Sequence, residues 1–131
     1  MTNAWRERAS LAAYAALTWA AKPLLLRKLR RRAKAEPGYG EAVYERFGCY
    51  QPTDLGSDGR GQWVWVHAVS LGETRAAALL IKALRQAMPG TRLLLTHGTA
   101  TGRAEGRKLL QPGDVQVWQP WDSRQAVQRF V

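Results

Sequence analysis

The sequence predicts an α/β fold with a parallel sheet, preceded by an apolar N-terminal helix. A β-prone segment, Trp63 to Val69, leads without a linker into an apolar helix, and this order of strand and helix occurs three times before Val131. Strands that alternate with helices form a parallel sheet with right-handed crossovers. The three loops that follow the strands therefore lie at one edge of the sheet, where ligands bind in such folds.

Length and charge bound the class of protein. A chain of 131 residues fits one domain, but its last ten residues have the pattern of a helix without a terminator, so we expect a fragment of a longer protein. The formal net charge is +10, and much of the positive charge lies in one block between Arg27 and Lys34. Cys49 is the single cysteine, which excludes an intrachain disulfide and agrees with a reducing compartment.

Residues 1–35 are predicted to be a membrane anchor with a basic juxtamembrane segment. The stretch from Ala9 to Leu26 is almost entirely apolar, but a helix needs about 20 apolar residues to span the hydrocarbon core. The stretch therefore predicts either a marginal transmembrane helix or a helix in the membrane interface, with membrane lipids as partners. The excess of positive charge after it places the rest of the chain in the cytoplasm.

Three other interpretations of these residues compete with the anchor. A cleaved signal peptide is disfavoured, because the strongest positive charge follows the apolar stretch and no small-residue cleavage site ends it before Lys22. A buried core helix followed by a solvated basic turn stays open, since periodicity does not exclude it. Nucleic acid is not expected as a partner, because no aromatic residues interleave with the basic block.

The remaining residues, 36–131, are predicted to form the α/β domain. Glu36 to Gly40 breaks the chain, Glu41 to Phe47 predicts a short helix that Gly48 closes in the left-handed conformation, and residues 51–61 form turns. The core elements follow in this order: a strand Trp63–Val69, a helix Thr74–Met88 with an apolar stripe (Ala77, Leu80, Ile81, Leu84 and Met88), a strand Arg92–Thr96, a loop His97–Gly102, a helix Arg103–Leu110, a strand Val115–Trp118, and a last helix with Asp122 as N-cap.

The loops at the edge of the sheet contain the candidate functional residues. Glu73 is the first, although a carboxylate in the first turn of a helix is also explained by the helix dipole, worth about 0.3–1 kcal/mol. The loop Thr96 to Gly102 is a possible anion cradle, but it matches neither the phosphate-binding P-loop nor the dinucleotide fingerprint. His67 is expected to be a packed, hydrogen-bonded strand residue, whereas His97 could contact a phosphate or be an exposed loop residue.

Metal and cofactor sites are not expected. The single cysteine and the two histidines lie far apart in sequence, and there is no Asp-x-Asp pair to hold a nucleotide-bound cation. Trp118 and Trp121 could stack on a sugar, although aromatic residues at strand ends usually pack against neighbours.

Four blocks of residues resemble the 3-deoxy-D-manno-octulosonic acid (Kdo) transferases of lipid A assembly. They are Glu45 to Tyr50, Trp65 to Glu73, Thr96 to Gly102 and Pro120 to Asp122. The second block, with its histidine, serine, glycine and glutamate, is the specific one. The sequence departs from the family pattern at His97-Gly98 and at Trp121, which leaves the detailed contacts of those two loops open.

The resemblance implies a Rossmann-like, N-terminal acceptor domain of a two-domain glycosyltransferase of the GT-B type. A C-terminal domain, absent here, would bind the donor CMP-Kdo, and the acceptor would be a lipid A precursor at the cytoplasmic face of the inner membrane. No cofactor is implied. The family's catalytic base maps to Glu73, and the residues expected to contact the acceptor are Ser70, Gly72, Thr99, Thr101 and Gly102.

Two alternatives to this function remain open from the sequence. The first is a membrane-tethered α/β binding module without chemistry, in which Glu73 only caps a helix. The second is another lipid-linked sugar transfer on the same GT-B fold.

Overall fold

The computed structural model describes residues 4–51 and 62–131. It contains four α-helices, two 3-10 helices and three strands within those ranges. In chain order they are helix α1 (Ala4–Ala35), 3-10 helices Pro37–Gly40 and Val43–Phe47, strand β1 (Trp63–His67), helix α2 (Leu71–Ala87), strand β2 (Arg92–His97), helix α3 (Ala100–Arg107), strand β3 (Val115–Trp118) and helix α4 (Arg124–Phe130). The predicted turns of residues 52–61 lie outside the described residues.

The three strands form one parallel sheet in the order β1-β2-β3, which confirms the predicted sheet. Trp65 pairs with Leu94, and Thr96 pairs with Val117. β1 ends two residues before the predicted Val69 because the Val69 carbonyl turns to the next loop, where it accepts from the backbone nitrogens of Gly98 and Thr99.

The helices begin at different residues from those predicted, because their N-caps are Ser70, Thr99 and Ser123. The Ser70 side chain accepts from the backbone nitrogen of Glu73, so α2 begins at Leu71, three residues before the predicted start at about Thr74. Thr99 caps α3 in the same way, and this helix ends at Arg107 rather than at Leu110. The N-cap of α4 is Ser123, so the expectation for Asp122 was wrong by one residue. The left-handed conformation of Gly48 is confirmed.

Helix α2 covers one face of the sheet. Ile81 is 3% exposed and packs in a cluster with Val66, Leu93 and Leu95. The predicted stripe is correct at Ile81 but wrong at Leu80, which is 54% exposed, because consecutive residues of a helix point about 100° apart.

The opposite face of the sheet is partly open in the described chain. Trp63, Trp65, Leu94 and Val115 line a cleft of about 170 Å³ on this face. Trp65 is 57% exposed, and its ring contacts Phe130 of α4 in an edge-to-face geometry.

Helix α1 is long and apolar enough to cross a membrane, by length and composition. No residue between Ala9 and Leu26 is buried, which contradicts the alternative of a buried core helix. Near its C-terminal end the helix packs on the domain, where Leu29 forms a cluster with Tyr39 and Trp118.

Candidate active site

The candidate site lies at the carboxyl rim, which we define as the loops and first helical turns of residues 68–73, 98–102 and 119–123. The Val69 carbonyl joins the first two of these loops. It accepts hydrogen bonds from the backbone nitrogens of Gly98 at 3.1 Å and Thr99 at 3.0 Å, and from the Thr99 hydroxyl at 2.9 Å. Three donors on one carbonyl hold the ends of β1 and β2 as one unit.

Glu73 projects from the first turn of α2 and is exposed. Its Oε2 accepts from the Val69 backbone nitrogen at 2.8 Å, and its Oε1 accepts from the Ser70 hydroxyl at 3.3 Å. The Ser70 oxygen in turn accepts from the Glu73 backbone nitrogen at 3.3 Å. This reciprocal pattern is a variant of the capping box. It orients the carboxylate and still leaves it open to a ligand from solvent.

Two glycines in the predicted site have different surroundings. A methyl group added at Gly72 would meet nothing within 4 Å, so a ligand can approach the backbone beside Glu73. A methyl group at Gly102 would lie 3.0 Å from the Thr99 hydroxyl oxygen and 3.1 Å from the Ser70 carbonyl carbon. Gly102 therefore lets the start of α3 pack closely on the Ser70 loop.

The two predicted threonines also differ. The Thr99 hydroxyl is occupied, because it donates to the Val69 carbonyl and accepts from the Gly102 backbone nitrogen. Thr101 is exposed and lines a separate cleft of about 250 Å³ with Gly38 and Arg107. The structure thus brings together Ser70, Gly72, Glu73, Thr99 and Gly102, but not Thr101.

His97 is fully buried, which contradicts both expectations for it, a phosphate contact and an exposed loop position. Its Nδ1 lies 2.9 Å from the Ala68 carbonyl oxygen, and its Nε2 lies 2.9 Å from the Gln116 amide nitrogen. These partners are satisfied by a neutral ring that donates from Nδ1 and accepts at Nε2. Burial lowers the pKa of His97 to about 4. The ring therefore joins the ends of β1, β2 and β3 as a neutral core group.

His67 is hydrogen-bonded as predicted, because its Nδ1 lies 2.8 Å from the Thr96 hydroxyl oxygen. It is exposed, however, and not packed. The reason is that its side of β1 faces the open side of the sheet, as does the side chain of Trp65.

The two tryptophans after β3 were candidates for stacking on a sugar. Trp118 is 0% exposed, so its ring is not available to a ligand in this structure. The guanidinium groups of Arg46 and Arg103 lie 3.8 Å and 4.7 Å from its ring centroid. Trp121 is half-buried and packs edge-to-face on Phe47 at 4.8 Å.

Glu45 and Arg46 were not identified as important residues from the sequence. Glu45 is 3% exposed, and its Oε2 accepts from the Trp118 backbone nitrogen at 2.7 Å and from Arg103 Nη1 at 2.9 Å. Arg46 donates from Nη2 to the Gly98 carbonyl at 3.3 Å, and burial lowers its pKa to about 10. Both belong to the motif Glu45 to Tyr50, and this motif was the sequence signal that could have identified them. Their hydrogen bonds to Gly98 and Trp118 support the residues of the rim.

The described residues contain no group of three or more histidine, cysteine or acidic side chains that could hold a metal ion. The charged side chains at the rim are those of Glu73 and Asp122, and hydroxyl, amide and backbone groups lie beside them.

Comparisons with known proteins agree on one family. Residues 41–131 match the model described as 3-deoxy-D-manno-octulosonic-acid transferase (kdotransferase). A 3-deoxy-D-manno-octulosonic acid transferase of Bordetella pertussis is 43% identical over 118 residues, which cover 83% of this chain and 26% of the relative. The transferase of the same description from Haemophilus influenzae is 26% identical, with coverage of 90% and 27%. A probable mitochondrial 3-deoxy-D-manno-octulosonic acid transferase of Arabidopsis thaliana is 30% identical, with coverage of 90% and 26%.

The chain spans about a quarter of the length of these curated relatives. No solved structure matches it.

Proposed function

Because the chain belongs to the 3-deoxy-D-manno-octulosonic acid (Kdo) transferase family, we propose that it is the acceptor-binding part of a glycosyltransferase that moves Kdo from CMP-Kdo to a lipid A precursor. In this proposal the carboxyl rim receives the glucosamine end of the acceptor, and Glu73 is the catalytic base. The fold of the whole enzyme would be of the GT-B type, with this chain in its N-terminal domain.

The proposed step uses one proton transfer and one substitution. A sugar hydroxyl is a poor nucleophile, so the Glu73 carboxylate takes its proton as the oxygen attacks the anomeric carbon of Kdo. The bond from that carbon to the phosphate of CMP breaks, and CMP leaves with the bonding electrons. The hydroxyl must lie within about 3 Å of the carboxylate for this transfer.

The observation that supports this role is that the Glu73 carboxylate is held by hydrogen bonds and is also exposed to solvent. Val69 and Ser70 hold the carboxylate in one orientation, while the side chain is exposed and the space at Gly72 is open. In the proposed complex the acceptor lies beside Gly72, with Ser70 and the loop from Thr99 to Gly102 along its edge. Thr101, in the neighbouring cleft, would contact a more distant part of the acceptor.

The donor is expected to bind mainly outside this chain. A donor site in a GT-B enzyme comes from its C-terminal domain, and this chain covers only about a quarter of each relative. We therefore expect the 131-residue chain by itself to bind neither CMP nor CMP-Kdo and to transfer nothing. Tight CMP binding in calorimetry would favour a self-contained nucleotide-binding module instead.

The proposed location is the cytoplasmic face of the inner membrane. The apolar helix α1 and the basic residues near its C-terminal end support membrane association, since each basic residue near an anionic surface contributes about 1 kcal/mol. This location would place the enzyme beside its lipid acceptor.

The reaction is tested by a transfer assay on the full-length protein. We expect incorporation of Kdo into a lipid A precursor with CMP-Kdo as donor and none with UDP-sugars. Transfer from a UDP-sugar would support another lipid-linked sugar transfer on the same fold. A second candidate function, a binding module without chemistry, is favoured by the capping contacts of Glu73. Binding of the lipid precursor without any transfer by the full-length protein would support that module.

A further inference from the structure

We propose that Arg46 is a positioning residue of the transferase, which holds the loops of the carboxyl rim together and thereby orients the Glu73 carboxylate. The proposal rests on the proposed function, because it takes Glu73 as the catalytic base. Arg46 does not itself belong to the rim. It acts on the carboxylate through a short series of hydrogen bonds to and between backbone groups.

Arg46 is a buried charge whose presence stability alone does not explain. The residue is 4% exposed, and its Nε has no hydrogen-bond partner. Among the described residues no carboxylate forms an ion pair with it, since that of the neighbouring Glu45 pairs with Arg103. Burying a charge in this way is costly, and well-packed apolar residues in place of buried charged groups often give equal or greater stability. The Trp118 ring, whose centroid lies 3.8 Å from the guanidinium carbon, offsets part of this cost.

Arg46 bonds to two of the three loops of the rim. Its Nη2 donates to the Gly98 carbonyl oxygen at 3.3 Å, in the loop that follows β2. Its own carbonyl oxygen accepts from the backbone nitrogen of Trp121 at 2.8 Å, in the loop that follows β3. One residue of the second 3-10 helix therefore fixes these two loops relative to each other.

The loop after β2 in turn holds the loop that contains Val69. The Gly98 carbonyl and the Thr99 nitrogen belong to one planar peptide group, so a bond to its oxygen also restrains the direction of its N–H. This N–H donates to the Val69 carbonyl at 3.0 Å, and the Gly98 nitrogen donates to the same oxygen at 3.1 Å. The two loops are also in close contact, because a methyl group added at Gly98 would lie 2.8 Å from Val69 Cγ1. The loops are therefore expected to move together.

Val69 transmits this restraint to the carboxylate. Its nitrogen donates to Glu73 Oε2 at 2.8 Å, while its carbonyl is held by the loop after β2. Without the bond from Arg46, the peptide group between Gly98 and Thr99 gains freedom to rotate, and the carboxylate loses part of its restraint. A misplacement of about 1 Å at a catalytic group lowers a rate by up to about 10²-fold. The loss of Arg46 should therefore affect the catalytic step more than the binding of the acceptor.

The first test replaces Arg46 by methionine in the full-length enzyme. Methionine keeps a long unbranched side chain but has neither the charge nor the donors. We expect the melting temperature to stay the same or rise, kcat to fall by about 10–100-fold, and the KM for the lipid acceptor to change little. If Arg46 only stabilises the fold, the pattern is the opposite: the melting temperature falls and kcat per folded enzyme is unchanged.

Arg85→Met is the matched control. Arg85 is also largely buried, with 17% of its side chain exposed, and its Nη2 donates to the Leu109 carbonyl at 2.9 Å. It lies near the other end of α2, twelve residues and about 18 Å along the helix axis from Glu73. Its loss leaves the Asp114 carboxylate without its ion pair, so the melting temperature should fall, whereas kcat should stay close to that of the wild type.

A double-mutant cycle shows whether Arg46 acts through Glu73. In the Glu73→Gln background there is no base to orient, so Arg46→Met should have almost no further effect on the remaining kcat. Equal fold-losses of kcat in the two backgrounds would overturn the proposal, because Arg46 would then act independently of the carboxylate.

Hydrogen exchange measures the same coupling without an activity assay. Arg46→Met should increase the exchange rates of the Val69 and Thr99 amide hydrogens relative to that of Leu95, which is buried in β2, whereas Arg85→Met should leave this ratio unchanged. An unchanged ratio in Arg46→Met would overturn the proposal. A raised ratio together with near-normal turnover in Glu73→Gln would reject the catalytic base and leave the control of the rim by Arg46 intact.

A second variant covers the case in which Arg46→Met does not fold. Arg46→Lys keeps a cation at this position but lacks the planar fork of donors that packs on the Trp118 ring. It enters both the cycle and the exchange experiment, with the same expected directions and a smaller loss of kcat. Wild-type kcat and exchange ratio in both variants would show that the guanidinium does not position Glu73.

Discussion

The carboxylate of Glu45 lies 2.7 Å from the backbone nitrogen of Trp118, although 73 residues separate the two in sequence. The same carboxylate oxygen accepts from Arg103, and Arg46 covers the Trp118 ring. β3 is an edge strand of the described sheet, so the nitrogen at its end has no further strand to bond to. The segment that follows α1 thus completes the carboxyl rim at β3.

This contact predicts a large effect on stability. In Glu45→Ala, Arg103, whose side chain is 11% exposed, keeps its positive charge without its partner, and the Trp118 nitrogen loses its acceptor. We expect the free energy of unfolding to fall by about 3–5 kcal/mol in denaturant titrations. The matched control is Glu41→Ala, which breaks the exposed pair of Glu41 and Arg107 and should cost at most about 1 kcal/mol. Similar losses in both variants would contradict a special role for Glu45.

The proposed base predicts a separation of activity from stability. Glu73→Gln keeps the shape of the side chain but accepts no proton, so kcat of the full-length enzyme should fall by about 10²–10⁴-fold. If Glu73 only caps α2, the change should cost about 0.3–1 kcal/mol of stability and leave turnover almost unchanged. Transfer rates and melting temperatures are measured together, with Glu105→Gln on α3 as the control for loss of a helical carboxylate. Near-normal turnover would remove Glu73 from the catalytic role.

Two glycine variants should have opposite effects. Gly72→Ala adds a methyl group into open space in the first turn of α2, so stability should stay constant or rise by about 0.5–1 kcal/mol, while the KM for the lipid acceptor should rise. Gly106→Ala places its methyl carbon 2.4 Å from His97 Nε2, so the free energy of unfolding should fall by about 1–3 kcal/mol. An unchanged KM in Gly72→Ala would exclude close approach of the acceptor there.

The buried histidine predicts a pH dependence of stability. His97 is neutral in the folded chain with a pKa of about 4, against 6.5 for the ordinary side chain. The unfolded chain therefore binds more protons between these values, and stability should fall as the pH drops from 6.5 towards 4. The full contribution of such a shift is about 3 kcal/mol.

This effect is measured as the difference in unfolding free energy between the wild type and His97→Gln across that pH range. His67→Gln, which removes the exposed histidine, is the control and should keep the wild-type slope. The interpretation fails if the slope disappears in His67→Gln and persists in His97→Gln.

Three exposed basic residues near the C-terminal end of α1 predict salt-sensitive binding to membranes. Replacing Arg27, Arg31 and Lys34 together by glutamine should weaken binding of the full-length protein to anionic vesicles by about 3 kcal/mol, a factor of about 150. The control removes the same charge from three exposed residues, Arg75 and Lys82 of α2 and Lys108, the residue that follows α3. Sedimentation with vesicles at low and high salt gives both affinities. Equal loss in the two triple variants would show that only total charge matters.

The sequence alone determined the order of strands and helices and the parallel sheet. Alternation with a period of two residues and apolar spacing of 3.6 residues are local signals, and a strand that returns to its neighbour through a helix must run parallel to it. The left-handed conformation of Gly48 was also predicted from a local signal, because a glycine that follows a short helix commonly caps it in this conformation. The family was identified from the motif around Ser70 to Glu73 and agrees with the relatives found.

Only the tertiary structure decided which side chains are accessible. His97 was expected to be exposed or to contact a phosphate, but it is buried and hydrogen-bonded to Ala68, which follows β1, and to Gln116 of β3. Trp118 was a candidate to stack on a sugar, but the guanidinium groups of Arg46 and Arg103 lie against its ring, which is 0% exposed. The hydrogen bond from Tyr14 of α1 to the Asp122 carboxylate also did not follow from the sequence. These outcomes depend on residues far apart in the chain, and sequence periodicity reports which side of an element a residue occupies but not what packs against that side.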